Sequence, residues 1–182
     1  MIYMFEEGFM RAAVKRTLAL ILVASFVFSI AGCKSVKYHD EKEIKSILKN
    51  DLKLKEDDDY EFDEYRDGCE FEGEYDDIYF SIALFDDTKE AYHDFDDIAD
   101  EIEKDQDDFD GRIKRSVKDK SGYITFDGEG TESGDFFSDG YYYYGGVYYC
   151  DGMCIIVLTN KDKDSFRESV DEFLRAFRLP RP

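Results

Sequence analysis

The sequence predicts an α+β domain with two layers: a mostly antiparallel sheet, two amphipathic helices packed on one of its faces, and a short helix ahead of them. Three observations lead there. Segments with strand periodicity outnumber those with helical periodicity, and most of the strands are joined by short turns rich in Asp and Gly. The two strong helical patterns each follow an apolar strand directly.

Taken in order, Asp40 is placed to cap a first helix through about Leu54, with Ile44, Ile47, Leu48 and, less regularly, Leu52 on its apolar side. Tyr60 to Tyr65 and Cys69 to Glu72 alternate apolar with charged residues around Asp67-Gly68, the pattern of a hairpin. Ile78 to Phe85 (IYFSIALF) is apolar on both faces, as a central strand is. The clearest helix follows. Asp87 and Glu90 have the spacing of a capping box, and Ala91, Tyr92, Phe95, Ile98, Ala99 and Ile102 recur at helical intervals. Ile113 to Val117 and Tyr123 to Phe126 form another hairpin around Lys118 to Gly122, and a polar, Gly-rich loop comes next. Tyr141 to Cys150 and Met153 to Leu158 flank Asp151-Gly152, the strongest short hairpin signal in the chain. The last helix begins near Asp162 or Asp164, carries Phe166, Val170, Phe173, Leu174 and Phe177, and ends before Pro180. Five of its apolar positions lie 75 residues after equivalents in the earlier helix. Two strand-helix units side by side on one sheet would produce that correspondence, and so would amphipathic spacing alone.

The N-terminus gives an address. Arg11, Lys15 and Arg16 precede an uncharged, almost wholly apolar run, Thr17 to Gly32, the arrangement of a secretory signal. The run is shorter than the roughly 20 residues a spanning helix needs and ends on small residues; an uncleaved membrane anchor is the competing reading. Glu6 and Glu7 are unusual in such a leader and point to a start at Met10 or to a long signal. Ile30-Ala31-Gly32-Cys33 resembles the lipobox of bacterial lipoproteins, an aliphatic residue and two small residues before a cysteine. The resemblance covers the first 33 residues and carries no fold. It implies cleavage after Gly32, a diacylglyceryl group on Cys33, and attachment to the outer side of the cell membrane through that lipid. The expected organisation is a signal at 1–32, a lipidated tether at 33–39 and one acidic domain at 40–182.

Cleavage would leave 150 residues, enough for a single core. The leader holds three basic and two acidic residues, so the remainder keeps 21 basic against 42 acidic, a net charge of −21. Such a charge repels nucleic acid and anionic headgroups, which excludes nucleic acid as a partner, leaves membrane attachment to the lipid, and favours an envelope protein or ligand with a basic surface. The 16 Phe and 14 Tyr argue against an acidic disordered chain. The acidic clusters Glu56 to Asp59, Asp105 to Asp110 and Asp127 to Asp139 lie between apolar segments and read as solvated loops.

Among residues that could carry chemistry, Tyr141 to Tyr149 (YYYYGGVYY) is the most unusual stretch. On a strand half of these tyrosines pack inward and half face out, so Tyr142, Tyr144 and Tyr148 are candidates for an aromatic binding platform as well as for a sheet that uses tyrosine on both faces. Cys69, Cys150 and Cys154 are candidates for a disulfide or for buried thiols. A two-residue Asp151-Gly152 turn would put Cys150 and Cys154 on opposite faces. No cofactor is expected. Calcium is the weak exception, since carboxylates could gather it, although DQDDFDG (Asp105 to Gly111) fails the EF-hand pattern. Gly128 to Gly134 lacks the lysine of a phosphate loop and carries two carboxylates. Catalysis has little support: there is no Gly-x-Ser-x-Gly, and His39 in the tether and His93 on a polar helix face read as solvated. The expected function is ligand or partner binding by an anchored domain. The alternatives are a carboxylate enzyme acting on envelope polymers and a calcium-dependent or structural envelope module.

Overall fold

The computed structural model describes residues 36–182; the lipobox and Cys33 lie outside them. The fold is α+β, built on one seven-stranded sheet in the order β1-β2-β3-β7-β6-β5-β4 with every neighbouring pair antiparallel. The strands are β1 (Tyr60–Tyr65), β2 (Gly68–Tyr75), β3 (Ile78–Phe85), β4 (Phe109–Lys118), β5 (Ser121–Gly130), β6 (Tyr142–Cys150) and β7 (Met153–Thr159). The helices are α1 (Glu41–Ser46), α2 (Thr88–Lys104) and α3 (Asp164–Ala176).

Strand alternation sorts the core into two clusters, one on each face of the sheet. On the front, Phe71, Phe80, Ile82, Ile155 and Val157 lie under Ile44 and Leu48 from the N-terminal helix, Val170 and Phe173 from α3, and Phe177 at the C-terminal cap of α3. On the back, Ile124, Phe126, Val147, Tyr149 and Cys154 lie under Phe95, Ala99 and Ile102 of α2. The two amphipathic helices therefore sit on opposite faces, not on one as expected, and the domain has three layers. A helix's apolar stripe requires burial against a sheet but does not say which side; that is set by where the chain goes next. Alternating strand directions make β3 and β4 run the same way, so α2 is a crossover that must pass β7, β6 and β5 to reach the far edge. The last helix then closes the other side. The 75-residue correspondence is accordingly shared spacing: Ile82 and Val157 both face front, yet the helices after their strands leave to opposite sides.

Local details explain the remaining differences. Asp40 caps α1, its Oδ1 accepting from the Glu43 N–H at 2.9 Å. The helix then widens into a π turn, Ile47–Asp51, and this extra residue brings the irregularly spaced Leu52 to the core. Tyr65 pairs with Gly68, so the first hairpin turns on Arg66-Asp67, one residue earlier than expected. Gly68 is needed just after the turn because a Cβ there would lie 2.0 Å from the Leu84 carbonyl oxygen. The β2–β3 turn, Asp76-Asp77, puts both residues in the left-handed region at φ 48° and 61°. The β4–β5 hairpin is longer than the sequence suggested, running through Gly111 and Gly128, which face each other beneath the Phe109 ring.

Asp105, expected in a solvated loop, is 5 % exposed. Its Oδ2 accepts the backbone N–H groups of Phe136 and Phe137 at 2.7 and 3.1 Å. These bonds pin the Gly-rich loop so that Phe137 is fully buried against Phe109, Phe126 and Tyr143. Burial alone would raise the Asp105 pKa, but the N–H donors outweigh it and hold the carboxyl below its ordinary value. A depressed carboxylate contributes stability above its unfolded-state pKa and loses it as pH falls through the lower folded one. Asp105→Ala is expected to cost about 2–3 kcal/mol at pH 7. In urea melts at descending pH, the gap to the unmodified protein should close only in strong acid.

Candidate functional site

The sequence-predicted residues do not converge. Tyr142, Tyr144 and Tyr148 all face front, but their hydroxyls are committed internally. Tyr142 donates to Asp127, Tyr144 to Asp171 at 2.9 Å, and Tyr148 to the Pro180 carbonyl at 2.8 Å. Tyr148 is fully buried and Tyr144 is 9 % exposed, which makes them core. Tyr142 is the most accessible of the three, and Arg167 stacks over it 4.4 Å from its centroid. Burial first, then the hydrogen bond to Asp127, pushes the Tyr142 hydroxyl up to about 12. The front face of this strand is structural, packed and hydrogen-bonded to α3 and the C-terminal tail.

Cys69, Cys150 and Cys154 are buried free thiols. The two-residue turn holds: Cys150 pairs with Met153 and Cys154 with Tyr149, so Cys150 and Cys154 face opposite ways. Cys69 shares the front face with Cys150, but β3 and β7 lie between their strands, a separation of roughly 14 Å across three inter-strand spacings. Burial raises all three thiols, Cys154 most, which leaves them protonated and unreactive. His39 is buried, contrary to expectation; its ring nitrogens lie 3.2 Å from Glu43 Oε2 and 3.3 Å from the Phe177 carbonyl, and it meets the Phe177 ring edge-on. The packed domain thus begins inside the expected tether, with Val36 already 4 % exposed. His93 is exposed on α2. Among the described residues, no three His, Cys, Asp or Glu side chains are grouped to hold a metal ion, and no helix is long and apolar enough to cross a membrane.

The feature the sequence reading missed is the back of β1, β2 and β3. The α2 crossover starts at β3 and moves away from β1 and β2, so that among the described residues only its first turns, at Glu90 and Asp94, come near the β2 back face, beside Glu70. Their back-facing side chains are Glu61, Asp63 and, at the hairpin end, Tyr65 on β1, and Glu70, Glu72 and Glu74 on β2, so five of the six are carboxylates. Register places Glu61 directly opposite Glu72, and Asp63 opposite Glu70. Like charges at directly opposed positions destabilise a sheet, and among the described residues no Lys or Arg pairs with any of the five. Only neutral donors reach them: Ser81 Oγ to Glu70 at 2.8 Å, the Tyr65 hydroxyl to Glu70 at 3.4 Å and the Tyr79 hydroxyl to Glu72 at 2.9 Å. Contrast α2, where Arg115 alone answers Asp96 at 2.7 Å and Glu103 at 2.6 Å.

Two hollows extend this acidic strip. One, of about 360 Å³, lies between the Asp57-Asp58-Asp59 loop and Glu72, Glu74 and Tyr79. The other, of about 440 Å³, is bounded by Tyr65, Glu70, Ala83, Phe85, Glu90 and Asp94. The signal was present in the sequence as the alternation Glu61-x-Asp63 and Glu70-x-Glu72-x-Glu74; register was needed to show that the carboxylates face one another. Comparison with family models, with curated proteins and with solved structures finds no match, so the site stands on its geometry.

Asp94 reports the crowding: burial, then Glu70 and Asp97, raises its carboxyl. A raised acid contributes stability when protonated and loses it as pH rises through the folded-state pKa. Asp94→Asn should therefore raise Tm at pH 7, with the gain vanishing below about pH 4, the ordinary aspartate range; calorimetry across pH 3 to 8 checks this. A thiol assay on the denatured, unreduced protein should find Cys69, Cys150 and Cys154 all reactive.

Proposed function

We propose that this chain is an extracytoplasmic lipoprotein, anchored through a lipid on Cys33, whose domain docks a partner with a basic surface on the open back of β1–β3. The observation that carries the docking half is the uncompensated carboxylate pairing of Glu61 with Glu72 and Asp63 with Glu70. A basic partner would relieve that repulsion on binding, so attraction and relief act in the same direction. The carboxylates of β2 recur every second residue, about 6.6 Å apart, matching the spacing of alternate side chains on an extended, Lys- or Arg-rich segment.

The lipobox carries the anchoring half. Cys33 precedes the buried Val36 by three residues, a reach of at most about 11 Å. A lipid at that position would hold the domain against the bilayer, where its partner would be met at the membrane surface.

The test uses full-length protein extracted in non-ionic detergent. Its intact mass should show loss of residues 1–32 and gain of a lipid. A fluorescent deca-lysine peptide should bind, more weakly as salt rises. The triple variant Glu61→Gln, Asp63→Asn, Glu72→Gln should lose about tenfold or more in affinity while gaining about 0.5–1 kcal/mol in stability. Unchanged peptide affinity in that variant would refute docking at this face, and an unprocessed, unlipidated mass would refute the anchor.

A further inference from the structure

The hollow at the α2 end of the acidic face differs from the rest of the strip in having walls and a floor. Ala83 and Phe85 of β3 and the rim of Tyr65 give it an apolar interior, while Glu70 comes from β2 and Glu90 and Asp94 from the first two turns of α2. Its volume of about 440 Å³ is in the range of small-molecule pockets. Carboxylates thus approach from the strand on one side and the helix on the other, with an aromatic ring at the entrance. Tyr65 is 59 % exposed, and its hydroxyl points to Glu70 at 3.4 Å, which leaves the ring face for a visitor. The small Ala83, opposite Glu70 in register, is part of the lining; a larger side chain there would take up space in the hollow. Arg66 also lines the hollow, and among the described residues it forms no ion pair with any of these groups.

From this arrangement we infer that the hollow bounded by Tyr65, Glu70, Ala83, Glu90 and Asp94 is a pocket for an alkylammonium group on an apolar stem, the chemistry of a lysine side chain or an aliphatic diamine. The inference rests on the docking reading above and deepens it: the pocket takes one ammonium while the strip beyond takes further charges. An ammonium has three donors that can reach carboxylates on several sides, its methylene stem suits Ala83 and Phe85, and its charge suits the Tyr65 ring. A guanidinium, flat and forked, prefers one carboxylate presented edge-on, and the carboxylates here come from separate elements.

The experiment titrates full-length protein in non-ionic detergent with Nα-acetyl-lysine methylamide and with 1,5-diaminopentane, following the Tyr and Ala83 signals by NMR. The norleucine and arginine analogues of the first compound serve as controls. The lysine compound should bind about tenfold tighter than either control, and preference for the diamine over the lysine compound would identify a free amine as the source. Ala83→Leu, which fills the pocket without changing charge, should abolish lysine-compound binding yet leave deca-lysine bound to the strip within about threefold. Glu90→Gln, on the exposed rim of a helix and safe for folding, should weaken the lysine compound and not its norleucine analogue. Arg66→Gln should tighten it. Equal binding of the lysine and norleucine compounds, equal binding of the arginine compound, or full binding by both Ala83→Leu and Glu90→Gln would overturn the pocket. If deca-lysine still binds when the lysine compound does not, the pocket fails and the docking face survives; if neither binds, both fail.

Discussion

The route of α2 is the constraint on which the other features depend. A chain that leaves β3 and re-enters the sheet as β4, beyond three intervening strands, must cover the back of those strands on its way. The apolar stripe of α2 then has one place to be buried, and the back-facing residues of β5, β6 and β7 must be apolar to receive it. The same route withholds cover from the back of β1 and β2. Those positions face water, so they are free to be acidic, and the sequence makes five of the six side chains named above acidic. The front is sealed differently, by the N-terminal helix over β1 and β2 and α3 over β3, β7 and β6. Among the described residues one strand pair is thus packed on its front and open on its back, which is the condition for an alternating apolar-acidic pattern.

A bare face needs polar residues, but it does not need residues of one sign. Mixing in lysines would have kept β1 and β2 soluble and made their opposed pairs attractive. The protein has 24 basic residues and uses them elsewhere, as in the Arg115 network on α2 and the Lys161 pairing with Asp77. Local repulsion accepted without local compensation marks a place where stability has been given up for something else. The back face differs in this from the acidic loops. Asp105 is spent on holding Phe136 and Phe137 in place, and Asp40 and Asp87 on capping helices. Those carboxylates have internal partners that account for them; among Glu61, Asp63, Glu70, Glu72 and Glu74, only Glu70 and Glu72 have side-chain donors, and those are neutral hydroxyls.

Much of the fold was legible because strand alternation and helical spacing are local. The central strand Ile78–Phe85, the Asp151-Gly152 turn and both long helices follow from runs of a few residues whose periodicity admits one reading. What the sequence could not supply was non-local. The side of the sheet a helix takes depends on strand order, which no single segment encodes. The roles of Asp105 and His39 depend on partners 31 and 138 residues away, Phe136 and Phe177. The tyrosine stretch misled for a related reason: its composition is conspicuous, yet its hydroxyls find partners far along the chain, in α3 and the C-terminal tail. The carboxylate face, by contrast, is ordinary in composition and becomes unusual only when register sets its members opposite each other.

The central claim is that the open back of β1–β3, and not the tyrosine strand β6, is where this protein meets a basic partner. Amide hydrogen exchange of the full-length protein with and without deca-lysine tests it most directly, because the two surfaces lie on different strands and opposite faces. Binding at the acidic face predicts added protection within residues 60–74 and at the start of α2, with β6 unchanged. Protection confined to residues 142–150 and α3 would contradict it and return the tyrosines to the centre of the account.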